Sequence, residues 1–171
     1  MKTTAVLGAG SWGTALAIHL AKAGHNVRLW ARDAALVEEL RATRQNEQYL
    51  PGIEMPASIV STGSLHEALS GARFVLVAVP SHGFRVVVRQ ATTVLDPKGI
   101  IVSATKGLEG ETLQRMSQVI DSETQGACRV AVLSGPSFAL ELAQGLPTAV
   151  LAASSDPAAP AALQEDFRSS A

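Results

Sequence analysis

Near its N-terminus the chain reads Gly8-Ala9-Gly10-Ser11-Trp12-Gly13, a stretch with the spacing G-x-G-x-x-G. It follows the short apolar run 4–7 and opens a helical pattern over residues 14–23, which Gly24 closes. A second strand is predicted at residues 26–30. A strand, a glycine turn, a helix and a second strand together form the context that a dinucleotide-binding site requires.

The three glycines have separate roles in such a turn. Gly8 permits the tight bend, Gly10 lets a pyrophosphate approach the backbone, and Gly13 lets the helix pack against the strand. The N–H groups at the start of the helix then face the phosphates, and the helix dipole favours their negative charge. The alternative interpretation is a glycine-rich turn that binds no ligand.

Composition indicates one cytoplasmic domain spanning residues 1–171. The formal net charge of −1 gives no electrostatic reason to expect nucleic acid or an anionic membrane as a partner. No apolar run reaches the length of a membrane span. The single cysteine, Cys128, excludes an internal disulfide, and the four histidines form no recognisable ligand pair, so no metal site is expected.

Lys2 and the apolar residues after it resemble an export signal. Three glycines would interrupt the helical core of such a signal, so we do not expect export.

Short β-type runs alternate with helical patterns, which is typical of a parallel sheet covered on both faces. Further strands are predicted at residues 58–61, 74–79, 100–104, 129–133 and 148–152. Further helices are predicted at residues 34–43, 65–69, 84–95, 112–123, 137–144 and 158–167. Residues 46–56 show no clear period and are predicted as a surface loop. We therefore expect an α/β fold: a Rossmann-like, doubly wound, mostly parallel sheet with helices on both faces.

Most of the distinctive polar and glycine residues come directly after predicted strands. They are residues 8–13, Arg32, residues 80–82, residues 105–107 and residues 134–137. Because parallel strands end at the same edge of a sheet, these five segments should converge along one crevice. Open α/β sheets bind their ligands in that crevice.

The end of the second strand bears on the choice of cofactor. NAD-preferring sites usually have Asp or Glu there, to bind the adenosine ribose. We align Ala31 with that position, which places Arg32 beside the 2′ group, where a guanidinium suits a phosphate. This favours NADP and permits NAD. Asp33 would fill the acidic role in a register two residues further on, and Arg32 has an alternative interpretation as a solvated cation that begins the next helix.

Two later segments supply further candidate ligands at the same edge. Lys106 follows a strand rich in Val and Ile, and its ammonium is suited to a substrate phosphate or to the cofactor, although lysines at strand ends are also common surface residues. In residues 134–137, Pro136 suits a first helical turn, and Ser134 or Ser137 is placed to cap that helix or to meet a ligand. His82 is placed near a nicotinamide, but a helix-capping or surface histidine is the simpler interpretation.

Taken together, these segments resemble one known family. The resemblance runs in order through residues 6–17, 79–82 (Val-Pro-Ser-His), 104–109 (Ala-Thr-Lys-Gly-Leu-Glu), 134–139 (Ser-Gly-Pro-Ser-Phe-Ala), 141–142 and 145–148. The chain is similar to the N-terminal cofactor-binding domain of bacterial NAD(P)-dependent glycerol-3-phosphate dehydrogenase. That resemblance implies reversible reduction of dihydroxyacetone phosphate to sn-glycerol 3-phosphate, for glycerophospholipid synthesis in the cytoplasm.

The resemblance also implies roles for particular residues. Contact with the cofactor is implied for Gly8, Gly10, Ser11, Trp12, Gly13, Arg32 and Ala139, and Lys106 is implied to lie between cofactor and substrate. Gly135 and Ser137 are implied to bind the substrate together with Lys106.

Members of that family carry a second, all-helical domain, which supplies the catalytic lysine and much of the substrate pocket. We therefore expect no catalytic residue in this chain, cofactor binding without turnover, and any homodimer to form through the full-length protein. Two other functions stay open: a non-catalytic dinucleotide-binding or sensing module, and a related two-domain dehydrogenase with another substrate.

Overall fold

A central sheet organises the molecule, and a computed structural model describes residues 2–168. The strands are β1 (Thr3–Leu7), β2 (Asn26–Trp30), β3 (Gln45–Asn46), β4 (Leu50–Glu54), β5 (Ile59–Thr62), β6 (Phe74–Val77), β7 (Ile100–Ser103), β8 (Arg129–Ser134) and β9 (Leu151–Ala153). The helices are α1 (Ser11–Lys22), α2 (Ala34–Thr43), α3 (Leu65–Leu69), α4 (Ser81–Thr92), α5 (Met116–Thr124), α6 (Ala139–Gln144) and α7 (Ala158–Phe167).

The main sheet has seven strands in the order β5-β2-β1-β6-β7-β8-β9. Neighbouring strands from β5 to β8 are parallel, and only β9 pairs antiparallel with its neighbour. The chain builds one side through β2 and β5, then crosses to β6 on the other side of β1. This order confirms the predicted Rossmann-like, doubly wound sheet. The crossover places a ligand crevice outside the carboxyl ends of β1 and β6.

Apolar side chains fill both faces of the sheet. In β6, Phe74 and Leu76 belong to the core on the side of α1, α2, α6 and α7. Val75 and Val77 belong to the core on the side of α3, α4 and α5. Because successive side chains of a strand point to opposite faces, a strand covered on both sides must be apolar throughout, which explains the continuous apolar run in this part of the sequence.

The predicted surface loop at residues 46–56 is wrong. β3 and β4 pair there as an antiparallel hairpin, with Leu50, Met55 and Asn46 buried. Pro51 and Gly52 lie within β4 and are exposed. They interrupt the alternation of apolar and polar residues that would have indicated a strand, although an edge strand of a small hairpin tolerates them.

Several predicted boundaries also shift. The helix predicted at 112–123 begins only at Met116, because residues 109–114 form a turn in which the Glu109 N–H donates to the Gln114 carbonyl at 3.0 Å. The last strand, predicted at 148–152, is short and antiparallel, so its end does not lie at the ligand edge.

Cys128 is half-buried, and desolvation raises the pKa of its thiol, as expected of a packed cysteine.

Candidate dinucleotide-binding site

Close backbone packing explains two of the three glycines in the first turn. Gly8 has φ +116°, and a Cβ atom there would lie 2.5 Å from the Ala78 carbonyl oxygen at the end of β6. A Cβ atom on Gly13 would lie 1.9 Å from the Gly8 carbonyl oxygen. The start of α1 therefore lies directly against β1 and β6, where only glycine fits.

Gly10 is a glycine for a different reason. It is the N-cap of α1 in an extended conformation, and a Cβ atom there would meet no heavy atom within 4 Å. The first intrahelical bond runs from the Thr14 N–H to the Gly10 carbonyl at 2.9 Å, so the N–H groups of Ser11, Trp12 and Gly13 precede the hydrogen-bonded ladder. Among residues 2–168 no side chain caps this end, and the first turn carries no acidic residue. Open space beside unpaired donors fits a pyrophosphate.

Asn46 supports this turn from behind, and the sequence did not indicate it. Its side-chain amide donates to the Ala9 carbonyl at 2.9 Å and to the Thr14 hydroxyl at 2.8 Å, while its oxygen accepts from the Tyr49 N–H at 3.2 Å. The residue is completely buried. A buried amide with every contact satisfied fixes the carbonyl at the centre of the glycine turn.

Asp33 and Arg32 have clearly different surroundings after β2. The Asp33 carboxylate accepts from the Ala35 and Leu36 N–H groups at 2.9 and 3.4 Å, and thus serves as the N-cap of α2. That use weighs against the alternative in which Asp33 binds a ribose. Arg32 lies outside α2, is exposed, and forms no ion pair within residues 2–168.

Lys106 brings three of the predicted segments together. Its Nζ donates to the Ser137 carbonyl at 3.3 Å and lies 5.9 Å from the centroid of the Trp12 ring. The side chain thus extends from the end of β7 to both the start of α1 and the segment before α6. The lysine remains exposed, so its ammonium is accessible from the crevice.

The segment between β8 and α6 differs from its predicted form. Gly135 has φ +143°, and a Cβ atom there would lie 3.1 Å from the Ala149 carbonyl oxygen, so close packing requires this glycine. The N-cap of α6 is Phe138, without a side-chain cap, and the buried Ser137 hydroxyl donates instead to the Gly135 carbonyl at 3.3 Å. The predicted cap by Ser134 or Ser137 is therefore wrong, and α6 begins at Ala139.

His82 does not cap a helix, because the N-cap of α4 is Pro80 and His82 is an exposed residue of its first turn. Of the two simpler interpretations of this histidine, the surface residue is the one that the structure confirms.

An open cavity of about 850 Å³ lies beside residues 105–107. Lys106, Thr105, Ser134 and Gly135 contribute to its wall. Two of the three residues predicted to bind substrate therefore share one cavity, at the edge where the strands β7 and β8 end.

Within residues 2–168, no helix combines the length and the apolar character needed to cross a membrane. The same part of the chain contains no group of three His, Cys, Asp or Glu side chains that could hold a metal ion.

Residues 3–160 match the model of a protein family described as the N-terminus of NAD-dependent glycerol-3-phosphate dehydrogenase. The chain belongs to this family. The site segments described above all lie within the matched range.

Full-length relatives and a solved structure agree with the family. The glycerol-3-phosphate dehydrogenases [NAD(P)+] of Geobacter sulfurreducens and Moorella thermoacetica are 49% and 50% identical, over 95% and 91% of this chain. The crystal structure of glycerol-3-phosphate dehydrogenase from Coxiella burnetii superposes with a TM-score of 0.92 at 38% identity, over 98% of this chain and 51% of that one. The chain spans about half the length of the curated relatives it matches, 49% and 46% for these two.

Proposed function

We propose that this chain is the cofactor-binding half of an NAD(P)-dependent glycerol-3-phosphate dehydrogenase that interconverts dihydroxyacetone phosphate and sn-glycerol 3-phosphate. The observation that carries the proposal is the uncapped start of α1, open beside Gly10 and adjacent to the Lys106 ammonium. Family membership supports the reaction class, and the relatives, which are named as NAD(P)+ enzymes, support the NAD(P) dependence. The setting would be glycerophospholipid synthesis in the cytoplasm.

The residues present fit a dinucleotide. The N–H groups of Ser11, Trp12 and Gly13 would bind the pyrophosphate, with Gly10 leaving room for it and Gly8 forming the turn that precedes it. When bound, the nicotinamide supplies the hydride that reduces the ketone.

At the adenosine end, the exposed Arg32 guanidinium would bind a 2′-phosphate, and Asp33 is already used as a helix cap. NADP is therefore favoured over NAD. Ala139, at the start of α6 and packed against the core, would contact the cofactor from the opposite side.

Lys106, Gly135 and Ser137 would bind the substrate. A compact ammonium is suited to a phosphate group as a point charge, and Lys106 reaches the Ser137 carbonyl and borders the cavity with Gly135. Because this task needs the lysine to stay charged, Lys106 is a poor candidate for the acid that protonates the developing alkoxide.

We therefore assign no catalytic residue to this chain and propose that a second, helical domain supplies the proton donor. Several large apolar side chains near α6 and β9 are exposed, and they suit contact with such a domain: Phe138, Leu140, Leu146, Val150 and Leu151. A homodimer, if the enzyme forms one, would assemble through the complete protein.

The test uses the chain of residues 1–171 in two assays. NADPH binding is measured by calorimetry, and NADPH oxidation is followed by absorbance with saturating dihydroxyacetone phosphate. We expect binding without turnover. Gly10→Val should abolish binding of both nucleotides with the fold intact, because the added carbons occupy open space that the pyrophosphate needs.

Two results would contradict the proposal. Normal nucleotide binding by Gly10→Val would place the cofactor elsewhere. Turnover at the rate of an ordinary dehydrogenase, lost in Lys106→Ala, would make Lys106 the catalytic acid.

A further inference from the structure

A partly buried ionic cluster joins α4, α5 and the segment after β7. Arg85 on α4 donates to both carboxylate oxygens of Glu109, from Nε at 2.7 Å and from an Nη atom at 2.6 Å. It also donates to Gln114 at 2.8 Å and to Glu123 on α5 at 2.6 Å. Arg89 lies one turn further along α4, and within residues 2–168 its guanidinium donates only to Glu123, at 2.8 and 3.1 Å.

The Arg85–Glu109 contact has the geometry of a strong pair. It is bidentate, and the two side chains are only 23% and 13% exposed. Hydrogen bonds from Arg85 and then from Thr112 hold the pKa of Glu109 at about 2, below its ordinary value of 4.5. The carboxylate is therefore charged, and engaged on both oxygens, at any physiological pH.

Glu109 anchors one end of a short loop, residues 105–109, which we call the Lys106 loop. Backbone contacts hold the same end: a bridge pairs Leu108 with Arg115, and the Glu109 N–H donates to the Gln114 carbonyl at 3.0 Å. The other anchor is Thr105, whose hydroxyl donates to the Val79 carbonyl at 2.8 Å and to the Val77 carbonyl at 3.2 Å. Between them the chain turns through Gly107 at φ +96°. Only two residues separate Lys106 from Glu109, so a shift of either anchor moves the lysine.

Lys106 itself contributes little to its own placement. Its side chain is exposed, and among the described residues its ammonium forms one hydrogen bond, at 3.3 Å, to a carbonyl. A long flexible side chain held this way has no fixed position unless its backbone is fixed. The side-chain contacts of Thr105 and Glu109 fix the backbone of the loop, together with the backbone contacts of Leu108 and Glu109.

We infer that Arg85 and Glu109 are a positioning pair: their bidentate contact holds the Lys106 loop and so sets where the Lys106 ammonium lies in the crevice. The role of Lys106 in binding rests on the proposed function, whereas the anchoring of the loop does not. Arg85 lies outside the motif segments that carry the family resemblance.

The test is a double-mutant cycle in the chain of residues 1–171, with NADPH affinity measured in the presence of dihydroxyacetone phosphate. Arg85→Met should weaken binding about fivefold, typical of coupled neighbours, and amide hydrogen exchange at residues 106–108 should accelerate. Arg89→Met is the matched control, since it removes an exposed arginine of the same cluster without touching Glu109. It should leave both measurements unchanged.

The cycle separates positioning from a general structural effect. If Arg85 acts through Lys106, then Lys106→Ala should weaken binding much less in the Arg85→Met background than in the unaltered chain. Full additivity of the two losses would overturn the inference. Arg85→Lys, which keeps the charge but loses the fork geometry, should restore part of the affinity.

Other outcomes are equally decisive. If Arg85→Met does not fold, Glu109→Gln tests the same contact with the arginine in place. Unchanged amide hydrogen exchange at residues 106–108 in that variant would show that Glu109 does not hold the loop. If Lys106→Ala alone leaves affinity unchanged, the proposed function of Lys106 fails. Faster exchange at residues 106–108 in Arg85→Met would still support the anchor.

Discussion

Gly13→Ala should lower the free energy of unfolding, although alanine is the better helix former. A Cβ atom at this position would lie 1.9 Å from the Gly8 carbonyl oxygen, 3.0 Å from its carbonyl carbon and 3.4 Å from the Ala78 Cβ. Non-bonded heavy atoms are comfortable at about 3.5 Å. The helix start and the turn must therefore separate by more than about 1 Å.

The magnitude follows from two opposing effects. The intrinsic preference for alanine over glycine within a helix stabilises by about 1 kcal/mol. Overpacking costs about 1–3 kcal/mol and occasionally more, and the upper end applies because the obstacle is backbone that cannot rotate away. We expect a net loss of about 2 kcal/mol, which for a chain of this size lowers Tm by roughly 4–8 °C.

The assay is thermal and urea unfolding of the variant beside a matched control. Gly83→Ala is also a glycine-to-alanine change near the start of a helix, but its Cβ atom would meet nothing within 4 Å. That control should be stabilised by up to about 1 kcal/mol. If Gly13→Ala were as stable as the unaltered chain, close packing would not be the reason for glycine at this position.

Three further predictions follow from the same structure. Arg32→Ala should weaken NADPH binding more than NADH binding, by about 1–3 kcal/mol; equal losses in calorimetry would show that Arg32 does not bind the 2′-phosphate. Asn46→Ala should lower the free energy of unfolding in urea by about 2 kcal/mol, because it leaves the buried Ala9 carbonyl and Thr14 hydroxyl without their donor. A loss below about 0.5 kcal/mol would show that Asn46 does not stabilise the glycine turn. Because the pKa of Glu109 is lowered, the stability that its ionised carboxylate contributes is complete above about pH 4.5 and is lost as pH falls towards 2. Arg85→Met should therefore make Tm fall less steeply over that pH interval. The same slope in both proteins would show that the Arg85–Glu109 pair does not contribute to it.

Local patterns predicted the parts of the fold that depend on neighbouring residues. The glycine turn could be recognised because a strand, three glycines and a helix lie within twenty-odd residues, and the structure confirms that Gly8 and Gly13 are needed for close packing. β6 could be recognised because burial on both faces leaves an apolar run. In each case the resulting sequence pattern is contained in the segment itself, although the packing partners lie elsewhere in the chain.

Asn46 shows what such patterns omit. Its partners, Ala9 and Thr14, lie 37 and 32 residues away, and the hairpin that carries it is interrupted by Pro51-Gly52. Nothing in the local composition separates a buried, bonded asparagine from one in a polar loop. Arg85 and Glu109 present the same difficulty, because a charged pair 24 residues apart has the sequence appearance of two surface residues.

The candidate site therefore has two kinds of residue. Those that the motifs reveal, such as Gly10 and Lys106, leave the crevice open or face it, and they have few contacts of their own. Their positions are fixed by residues that lie outside the motifs, namely Asn46 at the glycine turn and Arg85 at the Lys106 loop. Since binding a flexible site costs ordering entropy that a fixed site does not, the supporting residues determine affinity without touching the ligand. A chain with every motif residue intact but these supports removed should keep its fold and bind the cofactor weakly.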